Sequence, residues 1–462
     1  MKRRQIGFIA AVSVLVFAQF FPVPQGLTAQ GQNTAAIALF FLILLITEAL
    51  PPSVTSLVTV GLIPILGVAP NFAGALTGFS HPVIFFIIAS FAIAAALTSV
   101  PITKRILAAL LQRTDNSVEG VLFALMLATA AVSVFMSNVP ACAIMAAVAV
   151  NFTDSLEEGE EKKSICKTFM IAIPVATMIG GMATPASSSL NLLALDFLKR
   201  YTGETVSFIQ WTAIGIPMII VLIPLAWFLM VKIYKPAQIP AEKIERYKKN
   251  MRIKEKVGRK EFFVIVIMAA MFILWTLSSW INDLEIFTVA VLGSALFFMP
   301  KINVLSWDKF LPSVNWDIIF ISGTVLSIAA ALTQNNASAW LIDTLYPANL
   351  SFQTNALVAL AAIISFTALL IITSAPALIT VLAAPFAAIA AANGVPASYL
   401  LIALAFCAGN CYLFPLDTVQ LLTYSKGYYR MTDMCKSTIF LQIAIVIILM
   451  FWLPFMGGVL GL

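Results

Sequence analysis

The stretch MSNVPA, residues 136–141, places a hydroxyl group, an amide and a proline inside otherwise apolar sequence. A second run of the same kind, TSAPA, lies at 373–377. Proline cannot continue the hydrogen-bond ladder of a helix, and hydrocarbon does not tolerate unpaired backbone groups. Each run therefore predicts a helix that stops within the membrane, where its free backbone groups are enclosed by protein or face a water-filled cavity.

The sequence around these runs is apolar enough to cross a membrane many times. Of 462 residues, 61% are hydrophobic and 10% are charged, and the mean hydropathy is +0.99. Apolar runs of about 20 residues recur from end to end, whereas the short alternating segments of a β-barrel are absent. We therefore expect an all-α polytopic membrane protein with about 11 transmembrane helices and two re-entrant helical hairpins.

The basic residues predict how these segments are oriented. We place the hairpins at 117–152 and 352–393, and the transmembrane helices at 6–23, 34–50, 53–69, 81–98, 164–200, 210–233, 262–280, 284–300, 316–333, 397–425 and 437–456. With the N-terminus inside, the cytoplasmic stretches hold 25 of the 27 lysines and arginines. This positive-inside bias predicts a protein of the cytoplasmic (inner) membrane with its N-terminus in the cytoplasm and its C-terminus outside.

The two halves of the chain share landmarks at a nearly constant offset. AIAAALT at 92–98 returns as SIAAALT at 327–333, and Pro140 matches Pro376. Each half has an odd number of crossings, which predicts inverted-topology repeats. The expected division is a first transmembrane helix and outer loop at 1–33, repeat 1 at 34–233, a solvated basic cytoplasmic connector at 234–261, and repeat 2 at 262–462. The basic cluster at 248–260 is assigned to this connector rather than to a nucleic-acid or anionic-lipid patch, and no nucleic-acid partner is expected.

Two further polar breaks lie later in each half, at GGMATPASSSLN (180–191) and CAGNCYLFPLDT (407–418). A helix that begins at such a break offers unpaired N–H groups to an oxyanion, and the freed carbonyls can hold Na⁺. The glycines of the first break permit unusual backbone angles. Asp417 is either part of a coupling-ion site or a hydrogen-bonded structural carboxylate.

Other chemistry-bearing residues have structural interpretations. His81 is expected to cap a helix rather than relay protons, Glu48 to cap backbone, and the five cysteines to be reduced packing residues. The sequence shows no histidine-bearing metal cluster and no nucleophile–base pair, so an enzyme is not predicted. An ion channel remains the alternative class, but it would need a continuous lined pore rather than paired breaks.

The sequence resembles the divalent anion:sodium symporter (DASS) family of the wider ion-transporter superfamily from about residue 34 onward. The resemblance is carried by TEALPPSVTSLVTVGLIPILGV, FSHPVIFFIIASFAIAAALT, SNVPACAIM, IGGMATPASSSLN, NWDIIFISGTVLSIAAALT and FPLDTVQLLTYSKGYY. It implies a homodimer whose transport domain moves like an elevator against a scaffold. It also implies binding of di- or tricarboxylates, or of sulfate, beside Na⁺ as the coupling ion, with no other cofactor.

The resemblance also carries site residues over by position. Those expected to bind substrate are Ser137, Asn138, Val139, Thr184, Ser188, Ser374, Ala375, Pro376 and Thr418, with Asn191 also at the site. Those expected to bind the ion are Ser137, Asn138, Ser187, Thr373, Ala375 and Asp417. The family's Ser-Asn-Thr motif is only partly kept, because Val139 replaces threonine at the first hairpin and Ala375-Pro376 follows serine at the second.

These observations predict a secondary active transporter of small divalent anions, first of all C4-type dicarboxylates. It would work by alternating access and be coupled to Na⁺ or to counter-anion exchange. A sulfate or tricarboxylate carrier and a cation/proton antiporter of the same superfamily are the alternatives within this class.

Overall fold

The computed structural model describes residues 2–462 except 155, 252–255, 282, 338–339, 341–343, 345–351, 373 and 411. Thr373, which was expected to bind the ion, and Cys411 lie outside the described residues. In the described part of the chain all regular secondary structure is helical, which confirms the all-α prediction.

The helices are numbered α1 to α21 in chain order within the described residues. They are Lys2–Phe20 (α1), Ala29–Thr47 (α2), Pro52–Ile65 (α3), Phe72–Ala75 (α4), Pro82–Thr98 (α5), Ile102–Leu111 (α6), Val118–Ser133 (α7), Asn138–Asp154 (α8), Glu160–Gly180 (α9), Ser189–Thr202 (α10), Phe208–Tyr234 (α11), Ala241–Met251 (α12), Arg259–Leu277 (α13), Ile286–Leu296 (α14), Trp307–Phe310 (α15), Trp316–Gln334 (α16), Thr354–Leu369 (α17), Ala375–Ala392 (α18), Ala397–Ala408 (α19), Thr418–Tyr424 (α20) and Met431–Leu460 (α21). Single 3₁₀ turns lie at Thr77–Ser80, Pro185–Ser187 and Leu311–Ser313.

The predicted interruptions are all present. The hairpins are the helix pairs α7–α8 and α17–α18, and the expected spans 164–200 and 397–425 are each broken in two. Within the described residues, seven helices are long and apolar enough to cross a membrane, or eight if α5 and α6, bent by 62°, form one span. Further apolar helices are shorter, among them α1, α3, α14 and α19. The expected number of about 11 spans stays a prediction.

The basic connector contains a helix that packs onto the protein. Of this helix, α12, Ile244 is fully buried and Lys248 is only 6% exposed. The Tyr247 ring lies 4.7 Å from that of Phe152, and the Lys248 ammonium donates to two backbone carbonyls just after α6, at 2.7 Å each. The prediction of a wholly solvated connector is therefore wrong for Ala241–Met251, because residues three and four positions apart form one apolar face.

The two halves pack in matching ways. Helix α9 packs against both helices of the first hairpin, and α19 packs against both helices of the second. Helices α10 and α20, which follow the two breaks, are exchanged: α10 packs against α18 and α19, whereas α20 packs against α8 and α9. Each half thus covers the hairpin of the other. The inverted orientation of the halves and their exact limits stay predictions.

Several smaller expectations can be compared directly. His81 caps α5, because its Nδ1 accepts from the Val83 N–H at 3.3 Å, while its Nε2 lies 3.0 Å from Asp196 Oδ1. Glu48 ends α2 through its backbone, in the left-handed region with φ 49°, and its side chain is exposed. The described cysteines are free; Cys142, Cys166 and Cys407 are buried and Cys435 is half-buried. The cap role of His81 is confirmed, and the reduced state of the cysteines stays a prediction.

Candidate functional site

The tip of the first hairpin is four residues long, because α7 ends at Ser133 and α8 begins at Asn138. The first amide of this region to find a helical acceptor is that of Ala141, which donates to the Ser137 carbonyl at 3.3 Å. Pro140 has no N–H to offer. The amides of Asn138 and Val139 therefore precede the hydrogen-bond ladder and form the free N-terminus of α8.

The Asn138 side chain joins the hairpin tip to the first break. It is 9% exposed, and its Oδ1 accepts from the Ser133 hydroxyl at 2.9 Å. The same hydroxyl lies 2.8 Å from the Thr177 carbonyl on α9. A Cβ atom added to Gly181 would lie 2.5 Å from Asn138 Oδ1 and 2.9 Å from its Nδ2. The amide thus lies directly on the backbone of Gly181.

The first break is closed by its own side chains. Ser187 Oγ lies 2.7 Å from the carbonyl oxygens of both Gly181 and Thr184, and it accepts from the Thr184 N–H at 3.1 Å. Asn191 Nδ2 donates to the same two carbonyls at 2.9 Å each. Ser188 caps α10 by accepting from the Leu190 N–H at 3.3 Å. The predicted residues Thr184, Ser187, Ser188 and Asn191 are therefore brought together and buried.

Glycine occupies positions 180 and 181 because of close packing and not because of the local backbone conformation. Gly181 has φ −63°, and neither Gly180 nor Gly181 lies in the left-handed region. A Cβ atom on Gly180 would lie 2.5 Å from the Ala130 carbonyl oxygen, just as one on Gly181 would meet Asn138. Neither glycine adopts the unusual backbone angle that it permits, and both instead let α7 and the hairpin tip approach α9 closely.

Trp211 on α11 is a site residue that the sequence did not indicate. Its indole N–H donates to the Met182 carbonyl at 3.1 Å, inside the break. Gly215, one turn later, leaves the space for that carbonyl, because a Cβ atom there would lie 2.2 Å from its oxygen. Trp211 is fully buried. Its contact spans 29 residues of sequence, so no local pattern indicates it.

Trp211→Phe should destabilise the first break while keeping most of the buried ring. The Met182 carbonyl would lose its donor, and an unsatisfied buried acceptor costs about 1–3 kcal/mol. We expect a lower melting temperature of the purified protein and a lower rate of anion uptake. Trp280→Phe, at a ring that is 68% exposed, is the control for removing an indole. An unchanged melting temperature in Trp211→Phe would contradict the assignment.

The second hairpin and second break have the same plan with fewer internal bonds. Helix α18 begins at Ala375, and the hydroxyl of its N-cap residue, Ser374, caps no backbone N–H. At the second break, Asp417 caps α20 by accepting from the Val419 N–H at 2.9 Å. Gln420 returns the bond by accepting from the Asp417 N–H at 3.3 Å. The carboxylate of Asp417 is therefore already a helix cap.

Helix α20, which follows the second break, begins beside the first hairpin. Cys142 Sγ lies 3.3 Å from the Val419 carbonyl oxygen, which places the start of α20 one turn along α8 from Asn138. In the described part of the chain, the structure shows no hydrogen bond from Ser374 to the predicted residues of the first hairpin. The first hairpin, the first break and the start of α20 thus form one cluster, and the second hairpin contributes through the packing of α18 on α10.

Three hydroxyl groups at these helix starts are free to bind a ligand. Ser137, Ser374 and Thr418 have no side-chain hydrogen bond to any described residue. Val139 and Pro140 line an open cavity of about 530 Å³ that extends to the start of α16. The four interrupted segments contain no lysine, arginine or histidine. Their polar groups are amide N–H groups, hydroxyls, side-chain amides and carbonyl oxygens, apart from the one carboxylate.

The comparison with known families agrees with this architecture. Residues 2–461 match the family described as the sodium:sulfate symporter transmembrane region. The chain belongs to the divalent anion:sodium symporter family. It is therefore a multi-pass membrane transporter and not an enzyme, and the class of its substrates is small anions.

Several proteins are similar to this chain along most of its length. The sodium-dependent dicarboxylate transporter SdcS of Staphylococcus saprophyticus is 26% identical, over 89% of this chain and 83% of its own. SdcS of Staphylococcus aureus is also 26% identical, over 98% and 92%. A protein of Cupriavidus necator, named only as a membrane protein, is 26% identical over 72% and 68%.

Two solved structures share the fold of this chain at low identity. The YdaH transporter of Alcanivorax borkumensis has a TM-score of 0.51 and 13% identity, covering 84% of this chain and 86% of its own. MtrF of Neisseria gonorrhoeae has a TM-score of 0.55 and 13% identity, covering 98% and 94%. This likeness concerns the fold alone, and it agrees with the polytopic helical architecture.

Proposed function

We propose that this symporter-family protein is a secondary active transporter of small divalent anions, first of all C4-type dicarboxylates. The observation that carries the proposal is the set of helix starts at the interrupted segments, with the free hydroxyls of Ser137, Ser374 and Thr418 and no basic side chain. The dicarboxylate transporters named above support the choice of substrate.

A dianion suits this site because the positive charge comes from backbone rather than from side chains. Each helix N-terminus carries about +0.5 elementary charge, so two of them balance about one negative charge. A bound cation would balance the remaining negative charge of the dianion, which couples binding of the anion to binding of the cation. The hydroxyls of Ser137, Ser374 and Thr418, with the Asn138 amide, would donate to the carboxylates. Sulfate or a tricarboxylate is the alternative anion.

The coupling ion is proposed to be Na⁺, with counter-anion exchange as the alternative. Hydroxyl and carbonyl oxygens are suitable ligands for this ion. The proposed ion-binding residues are Ser137, Asn138, Ser187, Thr373, Ala375 and Asp417. Each positive charge that enters down the membrane potential supplies about 2.3 kcal/mol per 100 mV. Asp417 is also the observation that would favour a cation/proton antiporter.

The remaining features of the proposal are the membrane and the assembly. We place the protein in the cytoplasmic membrane with its N-terminus inside, as the positions of its lysines and arginines predict. The cavity at Val139 and Pro140 would then open to the cytoplasm, as expected of one end state of alternating access. A homodimer and an elevator motion are proposed from the family resemblance.

Transport by purified protein in liposomes tests this function. Labelled succinate and labelled sulfate are offered outside, with or without an inward Na⁺ gradient and with or without succinate inside. We expect succinate uptake that rises with the Na⁺ gradient. Uptake that needs internal succinate but no Na⁺ would identify an exchanger. Uptake of sulfate without uptake of succinate would show that sulfate, and not a C4-type dicarboxylate, is the substrate. Failure to move either anion would refute the proposal.

Asp417→Asn separates the two roles of this residue. Asparagine caps a helix about as well as aspartate, so α20 should stay folded. If the carboxylate helps to hold Na⁺, the Na⁺ concentration for half-maximal uptake should rise by about tenfold, which corresponds to about 1.4 kcal/mol of lost binding free energy. Asp417→Ala, which loses cap and charge together, is the comparison. Unchanged Na⁺ activation in Asp417→Asn would leave the residue a structural cap.

A further inference from the structure

A second, apolar cavity opens beside the tip of the first hairpin. Its volume is about 250 Å³, and its walls are the bend between α5 and α6, the end of α7 with the tip, and one face of α13. Phe135 on the tip and Ile265 on α13 both line it and are 36% and 43% exposed. Since α13 is apolar and long enough to span the membrane, these exposed rims face hydrocarbon. The cavity therefore opens sideways to lipid.

A partly buried ion pair lies next to residues that line this cavity. Arg105 lies between Ile102 and Ile106, two lining residues of α6, and Glu261 lies one turn before Ile265 on α13. The Arg105 Nε–Glu261 Oε1 distance is 2.5 Å and the Nη2–Oε2 distance is 3.1 Å. Because residues four apart share a helix face, the pair lies directly above the apolar lining.

Exposed cations surround this ion pair. Lys104 precedes Arg105, and Lys260 precedes Glu261. Arg105 Nη2 donates to the carbonyl of Lys256 at 3.3 Å, which places this third lysine beside the ion pair. All three lysines are exposed, and none forms a salt bridge with a described residue. An apolar slot open to lipid thus ends at positive charges that no described carboxylate pairs.

We propose that this slot binds one phospholipid with an anionic headgroup. One acyl chain would fill the cavity, and the phosphate would lie among Lys104, Lys256 and Lys260. Basic residues next to the end of a membrane helix attract anionic lipids, and apolar surface next to them retains the chain. The Phe135 ring also packs against Phe272 of α13, with centroids 6.0 Å apart. The bound lipid would therefore lie next to the contact between α13 and the tip. This proposal does not depend on which anion is transported.

Filling the cavity tests the site for the acyl chain. Ala269 lines the cavity, whereas the adjacent Ala270 is exposed and does not. Wild-type protein, Ala269→Phe and Ala270→Phe are washed free of lipid in detergent and offered phosphatidylglycerol, and bound lipid per chain is measured by mass spectrometry. We expect Ala269→Phe alone to bind one lipid fewer. Equal lipid binding in all three proteins would overturn the proposal. A change from dimer to monomer in Ala269→Phe with unchanged lipid binding would also overturn it, because the slot would then be filled by a second copy of the chain.

Removing the cations tests the headgroup. The triple variant Lys104→Gln, Lys256→Gln, Lys260→Gln should lose its preference for phosphatidylglycerol over phosphatidylcholine by at least about tenfold, because each cation near an anionic lipid contributes to its attraction. Phosphatidylcholine should still enter the unfilled cavity. Lys309→Gln, at an exposed lysine of the short helix α15, is the matched control. An unchanged preference in the triple variant would contradict an anionic headgroup.

Discussion

Gly181→Ala should reduce anion uptake by about 100-fold without unfolding the protein. The new Cβ atom would lie 2.5 Å from Asn138 Oδ1, so the amide must leave the first break. Displacing a positioning group by about 1 Å costs on the order of 100-fold in enzymes, and we expect a similar loss in a binding site. The φ of −63° suits alanine, so the backbone itself is not strained. Uptake into liposomes and the melting temperature are the two measurements.

Gly409→Ala is the matched control in the other half. Gly409 ends α19 at the second break, with φ −78°. The nearest atom to an added Cβ is the carbonyl oxygen of Ala405 at 3.3 Å, in the same helix, and no polar side chain is displaced. We expect uptake near that of the wild type. An equal loss in both variants would mean that the contact between Asn138 and Gly181 is not what the site depends on.

Arg105→Met should destabilise the protein by about 3–5 kcal/mol, because it leaves a buried carboxylate without its partner. Glu261 is only 3% exposed, and its two oxygens are both bonded to the guanidinium. The pair joins α6 to the start of α13, so its loss loosens the contact between the first half and the second. The fraction of protein that stays monodisperse after heating measures the effect.

The double variant Arg105→Met, Glu261→Leu should recover most of that loss, because two apolar side chains of similar size replace a buried ion pair at little cost. Arg259→Met is the control for losing an exposed arginine, since Arg259 donates to the Lys301 carbonyl at 3.1 Å, lies over the Phe263 ring and forms no salt bridge with a described residue. A double variant as unstable as the single one would show that Arg105 acts through packing rather than through its charge.

The helix breaks could be predicted from sequence because their causes are local. A proline in an apolar run ends or begins a helix whatever surrounds it, so Pro140 and Pro376 placed both hairpin tips. The first hairpin was expected at 117–152, and α7 and α8 extend from Val118 to Asp154. The polar residues next to these prolines were therefore recognisable as site candidates.

The contacts that close the site could not be predicted, because they join distant positions. Asn138 lies on Gly181, and Trp211 donates to Met182, across 43 and 29 residues of sequence. A glycine in a break has two explanations, a special backbone angle or close packing, and only the packing of α7 and the tip against α9 decides between them. Helix α12 of the connector differs from these contacts, because its apolar residues form a local pattern at helical spacing. Charged residues surround that pattern in the sequence and favoured a solvated segment.

The exchange of α10 and α20 between the halves bears on how such a chain could arise. A half-length polypeptide would expose the hairpin surface that the other half's helix now covers, and it would need a second molecule to cover it. Gene duplication and fusion would turn that encounter between two molecules into an intramolecular one, at an effective concentration set by the linker. The linker also contains the helix Ala241–Met251, which packs onto the protein and would help to hold the two halves together.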